Sequence, residues 1–170
     1  MNEKFLVFLD LAKKMNRKFS VIPMLYGSLG LQMLVNEDLN PDDIDICVPQ
    51  FLYRLSERWQ DLLVFMQSEG YELIDLHEHF FQKDEIGVNI GVIDGDEPEA
   101  IPSVEAFLGT DAEEFPILVT DGAIYKLLTL QQYFSVYSRS LEDNYRVEKT
   151  VYKDQKKIDI IQKALTETYV

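Results

Sequence analysis

The sequence predicts one mixed α/β domain in which helices flank a β-sheet. Its 170 residues, of which 46% are hydrophobic, suit a single compact domain with a substantial buried core. Segments with apolar residues at helical spacing alternate along the chain with short apolar runs of strand type. No internal repeat, low-complexity tract or flexible linker divides the chain. We therefore expect one domain that spans residues 1–170.

The N-terminal part is expected to follow the order helix, strand, helix, strand. Helical spacing relates Phe5, Phe8, Leu9, Ala12 and Met15. Residues 21–26 form a short apolar run closed by Gly27, which is typical of a buried strand. After Gly27 the apolar spacing is again helical as far as Val35, and a polar loop follows. Residues 43–48 alternate with a period of two, which predicts a second strand.

The middle of the chain predicts a long helix followed by a three-stranded meander. Apolar residues from Leu52 to Met66 recur at helical spacing, and Gly70 stands where a left-handed cap would end that helix. Strand patterns then cover residues 71–76, 80–83 and 86–93, with a turn at Asp84 and Glu85 between the last two.

The C-terminal part is predicted to be mainly helical. Residues 115–119 suggest one more short strand. Beyond it, Ile124, Leu127, Leu128 and Phe134 predict a helix that Thr120 or Asp121 would cap. Ile158, Ile161 and Leu165 predict a terminal helix. We therefore expect a helical C-terminal part over about residues 121–168.

The composition excludes several classes of function. Thirty acidic residues against 16 Lys and Arg give a net charge of −14, which excludes a basic surface for the backbone of DNA or RNA. A nucleotide would have to be bound through metal ions or local amides. The single cysteine, Cys47, allows no internal disulfide and fits a reducing cytosol. The apolar run Phe5–Leu9 is too short to span a membrane, so we expect a cytoplasmic protein without a membrane segment.

Two aspartates in the second predicted strand are candidate metal ligands. Because side chains alternate along a strand, Asp43 and Asp45 project to the same face, about 7 Å apart, while Ile44 and Ile46 face the core. The two carboxylates repel each other, and Asp42 adds to the repulsion. A divalent cation between Asp43 and Asp45 would remove that repulsion.

A glycine and a serine precede these aspartates at a predicted strand-to-helix turn. Gly27 has no Cβ, so a ligand can approach its backbone closely. The free amides after Gly27 and Ser28, together with the helix dipole, favour a phosphate group. A phosphate-binding turn and a pair of metal ligands therefore occur within one βαβ-like unit.

The order Leu25-Tyr26-Gly27-Ser28 followed by Asp43-Ile44-Asp45 resembles the nucleotidyltransferase superfamily that includes the DNA polymerase β-like enzymes. The likeness is to the small aminoglycoside- and lincosamide-modifying type and to the minimal bacterial nucleotidyltransferases, and it covers about residues 21–93. A looser likeness continues in the tail around Lys126 and Lys153. The resemblance implies a nucleotidyltransferase-like mixed sheet flanked by helices, with further helices at the C-terminus.

The resemblance also implies roles for particular residues. Asp43 and Asp45 would hold Mg²⁺ (or Mn²⁺) against the triphosphate of a nucleoside triphosphate. Gly27, Ser28 and Lys126 would bind the phosphates.

The family normally adds a third carboxylate from a later strand, and Asn89 stands where we expect it. The catalytic set would then be Asp43, Asp45 and Asn89, although an amide binds cations weakly and cannot serve as a base. Glu85 and Asp94 flank the strand and would take that place in a different register.

Three functions are consistent with the sequence. The first is a nucleotidyltransferase-like protein that binds Mg²⁺ and a nucleoside triphosphate and transfers a nucleotide to a small hydroxylated molecule or a protein. The second is a catalytically inactive module of the same fold, for example a partner of a toxin-like protein, and Asn89 favours it. The third is an unrelated α/β domain whose Asp-x-Asp is accidental.

Overall fold

A mixed sheet of seven strands forms the centre of the described chain, which in the computed structural model comprises residues 2–53, 58–95, 102–142 and 148–168. The strands are β1 (Met24–Tyr26), β2 (Ile44–Val48), β3 (Glu72–Asp75), β4 (Phe80–Lys83), β5 (Ile86–Val92), β6 (Ile117–Thr120) and β7 (Ala123–Leu127). Their order across the sheet is β3-β4-β5-β2-β1-β7-β6.

Helices flank this sheet. They are α1 (Glu3–Phe19), α2 (Gly27–Gln32), α3 (Trp59–Ser68), α4 (Val104–Leu108), α5 (Leu130–Glu142) and α6 (Glu148–Thr168), with short 3₁₀ turns at Gln50–Leu52 and Ala112–Glu114. None of the helices within the described ranges is both long and apolar enough to cross a membrane.

The first two predicted strands and the last strand of the meander lie side by side at the centre of the sheet. The interior strand β2 runs antiparallel to β1 and parallel to β5, and Asp45 lies opposite Tyr26 on one side and Asn89 on the other. The meander β3-β4-β5 is also present, and its last turn passes through Asp84, which has a φ of 51°. Gly70 has a φ of +91°, directly after the end of α3, as predicted for a left-handed cap.

The helix predicted to open at Thr120 or Asp121 is wrong in its first part. Residues Ala123–Leu127 form β7, which pairs in parallel with β1 and antiparallel with β6, and the helix begins only at Leu130. Tyr125 is buried while Ile124 is exposed, so this segment alternates as a strand does.

The long helix predicted from Leu52 also begins later. Leu52 ends a 3₁₀ turn and Tyr53 is extended, whereas α3 starts at Trp59. The part of the prediction that covers residues 54–57 lies outside the described residues. Leu52 and Tyr53 are buried, so their apolar character reflects core packing and does not require a continuous helix.

One face of the sheet is covered by α1. The Phe8 ring, which is fully buried, packs edge-on against Tyr125 with 5.3 Å between the ring centroids. Strand pairing places Tyr125 on the same face as Ile44 and Ile46, which are also fully buried. The opposite face of β2 is therefore left for Asp43, Asp45 and Cys47.

Candidate functional site

The two predicted metal ligands lie on the face of the sheet opposite to α1. Asp45 is the second residue of β2, and Asp43 immediately precedes that strand. Both side chains are half-buried, whereas Asp42 is exposed. The structure therefore brings Asp43 and Asp45 to one face, as the period of two predicted.

Glycines provide the space that the two carboxylates occupy. A Cβ atom on Gly27 would lie 2.0 Å from Oδ2 of Asp45, and one on Gly87 would lie 2.3 Å from Oδ1 of Asp43. Gly27 also has a φ of +64°, a conformation that other residues adopt at a cost. Any side chain at Gly27 or Gly87 would displace a carboxylate of the pair.

The electrostatics of the pair disfavour two ionised carboxylates. Burial, and next the charge of Asp43, raise the pKa of Asp45 from 3.8 to about 6. A hydrogen bond from Asn89 and the charge of Lys157 act in the opposite direction. Negative charge at Asp45 is therefore only partly compensated by the protein itself.

Asn89 lies directly beside Asp45 in the parallel pairing of β5 with β2, and it is half-buried. Its side chain hydrogen bonds to the Asp45 carboxylate. The register of β5 against β2 places neither of the two alternative acids, Glu85 and Asp94, beside Asp45. Glu85 is exposed in the turn before β5, and the Asp94 carboxylate accepts a hydrogen bond of 2.9 Å from the backbone N–H of Gln50. Asn89 therefore holds the third position of the predicted set.

The predicted phosphate-binding turn adjoins the acid pair. Gly27 and Ser28 are the first two residues of α2, and the close approach of Gly27 to Asp45 fixes their position next to the carboxylates. Ser28 is half-buried, and no hydrogen bond to its hydroxyl occurs within the described ranges.

Helix α5 packs against α2, the helix that this turn begins, through Tyr133. A Cβ atom on Gly30 would lie 2.1 Å from the Tyr133 hydroxyl, so the absence of a side chain at Gly30 admits the tyrosine. The hydroxyl is buried and has no hydrogen-bond partner among the described residues. Burial, followed by the neighbouring Tyr137, raises the pKa of Tyr133, which keeps the phenol neutral.

Lys126 lies in a different environment from the one expected of a helical phosphate ligand. It belongs to β7, two strands away from β2, and its Nζ donates a hydrogen bond to the backbone carbonyl of Ala112. Lys153 is in α6 and its Nζ lies 3.6 Å from the Asp42 carboxylate. Of the three predicted phosphate ligands, Gly27 and Ser28 adjoin the acid pair, whereas Lys126 contacts Ala112.

Sequence reasoning missed Lys157, one helical turn after Lys153. Its Nζ lies 3.9 Å from Oδ1 of the buried Asp154 and 4.8 Å from the centre of the Tyr137 ring. Its positive charge favours the ionised form of Asp45. The spacing of Lys153 and Lys157 indicates that both lie on one face of the helix. It does not indicate which part of the protein that face contacts.

A cavity of about 760 Å³ opens beside Asp45 and Asn89. It lies on the same sheet face, between the sheet and residues of α4 and α5, and Cys47 also lines it. Burial raises the pKa of the Cys47 thiol, which therefore stays protonated and is a poor nucleophile.

The donor set fits one divalent cation. Asp43 and Asp45 supply two carboxylates whose mutual repulsion a cation would relieve. No group of three or more His, Cys, Asp or Glu side chains with metal-binding geometry occurs in the described part of the chain. Asn89 is neutral, so the negative charge that a second ion would need from a third carboxylate is missing at that position.

A curated protein resembles this chain over nearly its whole length. The uncharacterized protein YnaI of Bacillus subtilis (strain 168) is 39% identical over 158 residues, which cover 93% of this chain and 95% of that protein. No known family profile matches the chain.

Solved structures share the fold at low sequence identity. The lincosamide antibiotic adenylyltransferase LnuA, crystallised with lincomycin bound, has a TM-score of 0.59 at 15% identity, over 95% of this chain and 98% of that one. The crystal structure of ANT(2'')-Ia in complex with adenylyl-2''-tobramycin has a TM-score of 0.54 at 13% identity, over 100% of both chains. These likenesses confirm the predicted nucleotidyltransferase-like sheet flanked by helices.

Proposed function

The chain belongs to the family of the Bacillus subtilis protein YnaI, and we propose that it binds Mg²⁺ and a nucleoside triphosphate and transfers the nucleotide to a small hydroxylated molecule. The observation that carries this proposal is the contact between Gly27 of the Gly-Ser turn and the carboxylate of Asp45. It joins a candidate phosphate site to a candidate metal site within a nucleotidyltransferase-like fold.

In this proposal Asp43 and Asp45 hold the cation, which is Mg²⁺ or Mn²⁺. A bound ion of this kind lowers the pKa of an acceptor hydroxyl and neutralises charge on the leaving pyrophosphate. The backbone amides at Gly27 and Ser28 bind phosphate oxygens, because free amides at a helix start favour anions. Lys157 partly compensates Asp45 before any cation binds.

Asn89 limits the chemistry that the chain itself supplies. By its hydrogen bond it orients Asp45, but an amide cannot accept the proton of an attacking hydroxyl. We therefore expect binding of Mg²⁺ and nucleotide together with slow transfer.

The binding part of the proposal is tested by metal-dependent stabilisation. Millimolar Mg²⁺ should raise the melting temperature of the wild type, and ATP should bind only when Mg²⁺ is present, since binding to the folded state stabilises it. The double variant Asp43→Asn with Asp45→Asn should be more stable without metal and should lose both effects. The adjacent, exposed Asp42→Asn is the matched control and should respond like the wild type. An unchanged Mg²⁺ response in the double variant would contradict the proposal.

The second candidate is a catalytically inactive module of the same fold that binds a protein, for example a toxin-like partner. Asn89 is the observation that favours it, because Asn89 occupies the position of the expected third carboxylate beside Asp45.

The variant Asn89→Asp separates the two candidates. In an enzyme that lacks only its base, the new carboxylate should raise transfer from labelled ATP or GTP to hydroxylated acceptors by about 10²-fold or more. Glu85→Gln and Asp94→Asn are the controls and should have no effect. A variant that binds Mg²⁺ and nucleotide but transfers nothing supports the inactive module. A wild type with rapid turnover that is lost in Glu85→Gln would show that Asn89 was assigned the wrong role.

A further inference from the structure

The cavity of about 760 Å³ beside Asp45 is separate from the proposed phosphate-binding turn. Asp45 and Asn89 line it, whereas Gly27, Ser28 and Asp43 do not. Asp45 thus borders both regions, since it also touches Gly27. Tyr26, which directly precedes Gly27, lines the cavity as well, so a molecule in the cavity would lie beside Asp45 and next to the turn.

The walls of the cavity are mainly apolar. They include Cys47 of β2, Val104 and Phe107 of α4, and Val136 of α5. Such walls stabilise a ligand in proportion to the apolar surface that it buries.

The charged groups at the cavity disfavour a triphosphate. Glu78 and Glu142 line it together with Asp45, and all three are acidic. Among the described residues that line the cavity, Arg139 is the cation; it stacks 5.3 Å from the centre of the Phe107 ring and donates a hydrogen bond to the Phe107 carbonyl. Within the described lining a polyanion would meet more negative than positive charge, so the cavity suits the second reactant better than the nucleotide.

We propose that the acceptor is an amphipathic molecule whose apolar body fills this cavity and whose hydroxyl group lies at Asp45. This inference rests on the proposed function for the identity of the second reactant. In the transfer, the acceptor oxygen forms a bond to the α-phosphorus of the nucleotide. The bond from that phosphorus to the oxygen of the β-phosphate breaks, and pyrophosphate leaves with the electron pair. The hydroxyl proton passes to water.

A homologous series of alkyl sugars tests whether the cavity binds an apolar group. The sugar hydroxyls are the same throughout the series, and only the length of the alkyl chain changes. Methyl, butyl and hexyl β-D-glucoside are titrated calorimetrically into the protein with Mg²⁺ and a non-hydrolysable ATP analogue, below micellar concentrations. Each buried methylene should tighten binding by about fourfold. Hexyl glucoside has five more methylenes than methyl glucoside, so it should bind about a thousandfold more tightly if all five are buried and about sixtyfold more tightly if three are. Equal affinity across the series would overturn the inference.

Two serines of α5 provide a matched pair of variants. Ser140 lines the cavity and Ser138 does not, and both are half-buried. Ser140→Trp should fill the cavity and remove the dependence on chain length, whereas Ser138→Trp should keep it. If the affinity of folded Ser140→Trp still depends on alkyl chain length, the acceptor does not bind in this cavity. If Ser140→Trp does not fold, the wild-type series still decides whether the acceptor has an apolar body.

Failure of this inference is distinguishable from failure of the proposed function. Binding of the ATP analogue with a flat glucoside series would overturn only the amphipathic acceptor. Absence of Mg²⁺-dependent ATP binding, with a steep glucoside series that Ser140→Trp abolishes, would overturn nucleotide transfer and leave an amphiphile-binding cavity.

Discussion

The two faces of strand β2 differ in polarity, although their residues alternate within a strand of only five residues. One face carries Ile44 and Ile46, which are fully buried on the side of α1. The other carries Asp45 and Cys47, preceded by Asp43, next to a cavity and to glycines that leave room for carboxylates. The first face contributes stability by burying apolar surface, whereas the second gives up some stability because it partly buries like charges.

The largest expected effect comes from shortening a side chain on the apolar face. Ile46→Ala should lower the free energy of unfolding by about 2–5 kcal/mol, because it opens a cavity in a fully buried core. Cys47→Ala, the neighbouring change on the cavity side, should cost about 1 kcal/mol, since fewer contacts are lost. Urea unfolding of both variants measures the difference. An equal cost for the two would show that the faces do not differ in packing.

The second effect is a pH dependence that belongs to the acidic face. The pKa of Asp45 is about 6 in the folded protein against an ordinary 3.8, so the folded state holds this proton more tightly. Proton binding to Asp45 therefore adds up to about 3 kcal/mol to the free energy of unfolding. This contribution is complete below pH 3.8 and is lost as the pH rises through 6. Urea unfolding in EDTA between pH 4 and 7 should therefore show a decline in the wild type that is smaller in Asp45→Asn. Parallel profiles for the two proteins would rule out this linkage.

The smallest effect concerns the cation that α6 supplies to the acidic face. Lys157→Met should lower stability without metal by about 1 kcal/mol, because Asp154 and Asp45 lose a compensating charge. The same variant should bind Mg²⁺ more tightly, since the lysine no longer competes for Asp45. The exposed neighbour Lys156→Met is the control and should change neither quantity. Weaker Mg²⁺ binding in Lys157→Met would mean that the lysine does not oppose the metal.

The sequence was most informative where local alternation determines the arrangement. A period of two sufficed to predict that Asp43 and Asp45 share a face. Asn89 was expected from the family resemblance, and the observed pairing of β5 with β2 places it beside Asp45. A one-residue slip would have moved buried valines and isoleucines to the wrong side, so the register is strongly specified.

The sequence was least informative where a distant partner decides. Ile124, Leu127 and Leu128 fit helical spacing, but residues 123–127 become a strand because β1 offers an edge with which they pair in parallel. In the structure Ala123 and Tyr125 are buried and Ile124 is exposed, but all three are apolar, so their sequence carries no polar–apolar alternation typical of a strand. Lys157 was missed for a related reason, since nothing within α6 tells which surface the helix covers.

The position of Lys157 in a late helix has a consequence for the order in which the site is completed during synthesis. Domains are made from the N-terminus and begin to fold as they emerge. The strands that place Asp43, Asp45 and Asn89 are all translated before α6, so the acid pair can be assembled on the ribosome while the ammonium group is still unmade. In that interval the carboxylates repel each other without the compensation that α6 later brings, and protons or dissolved cations are the counter-charges available to them. Ribosome-bound chains that end before α6 should accordingly hold the acid pair less firmly than the complete chain.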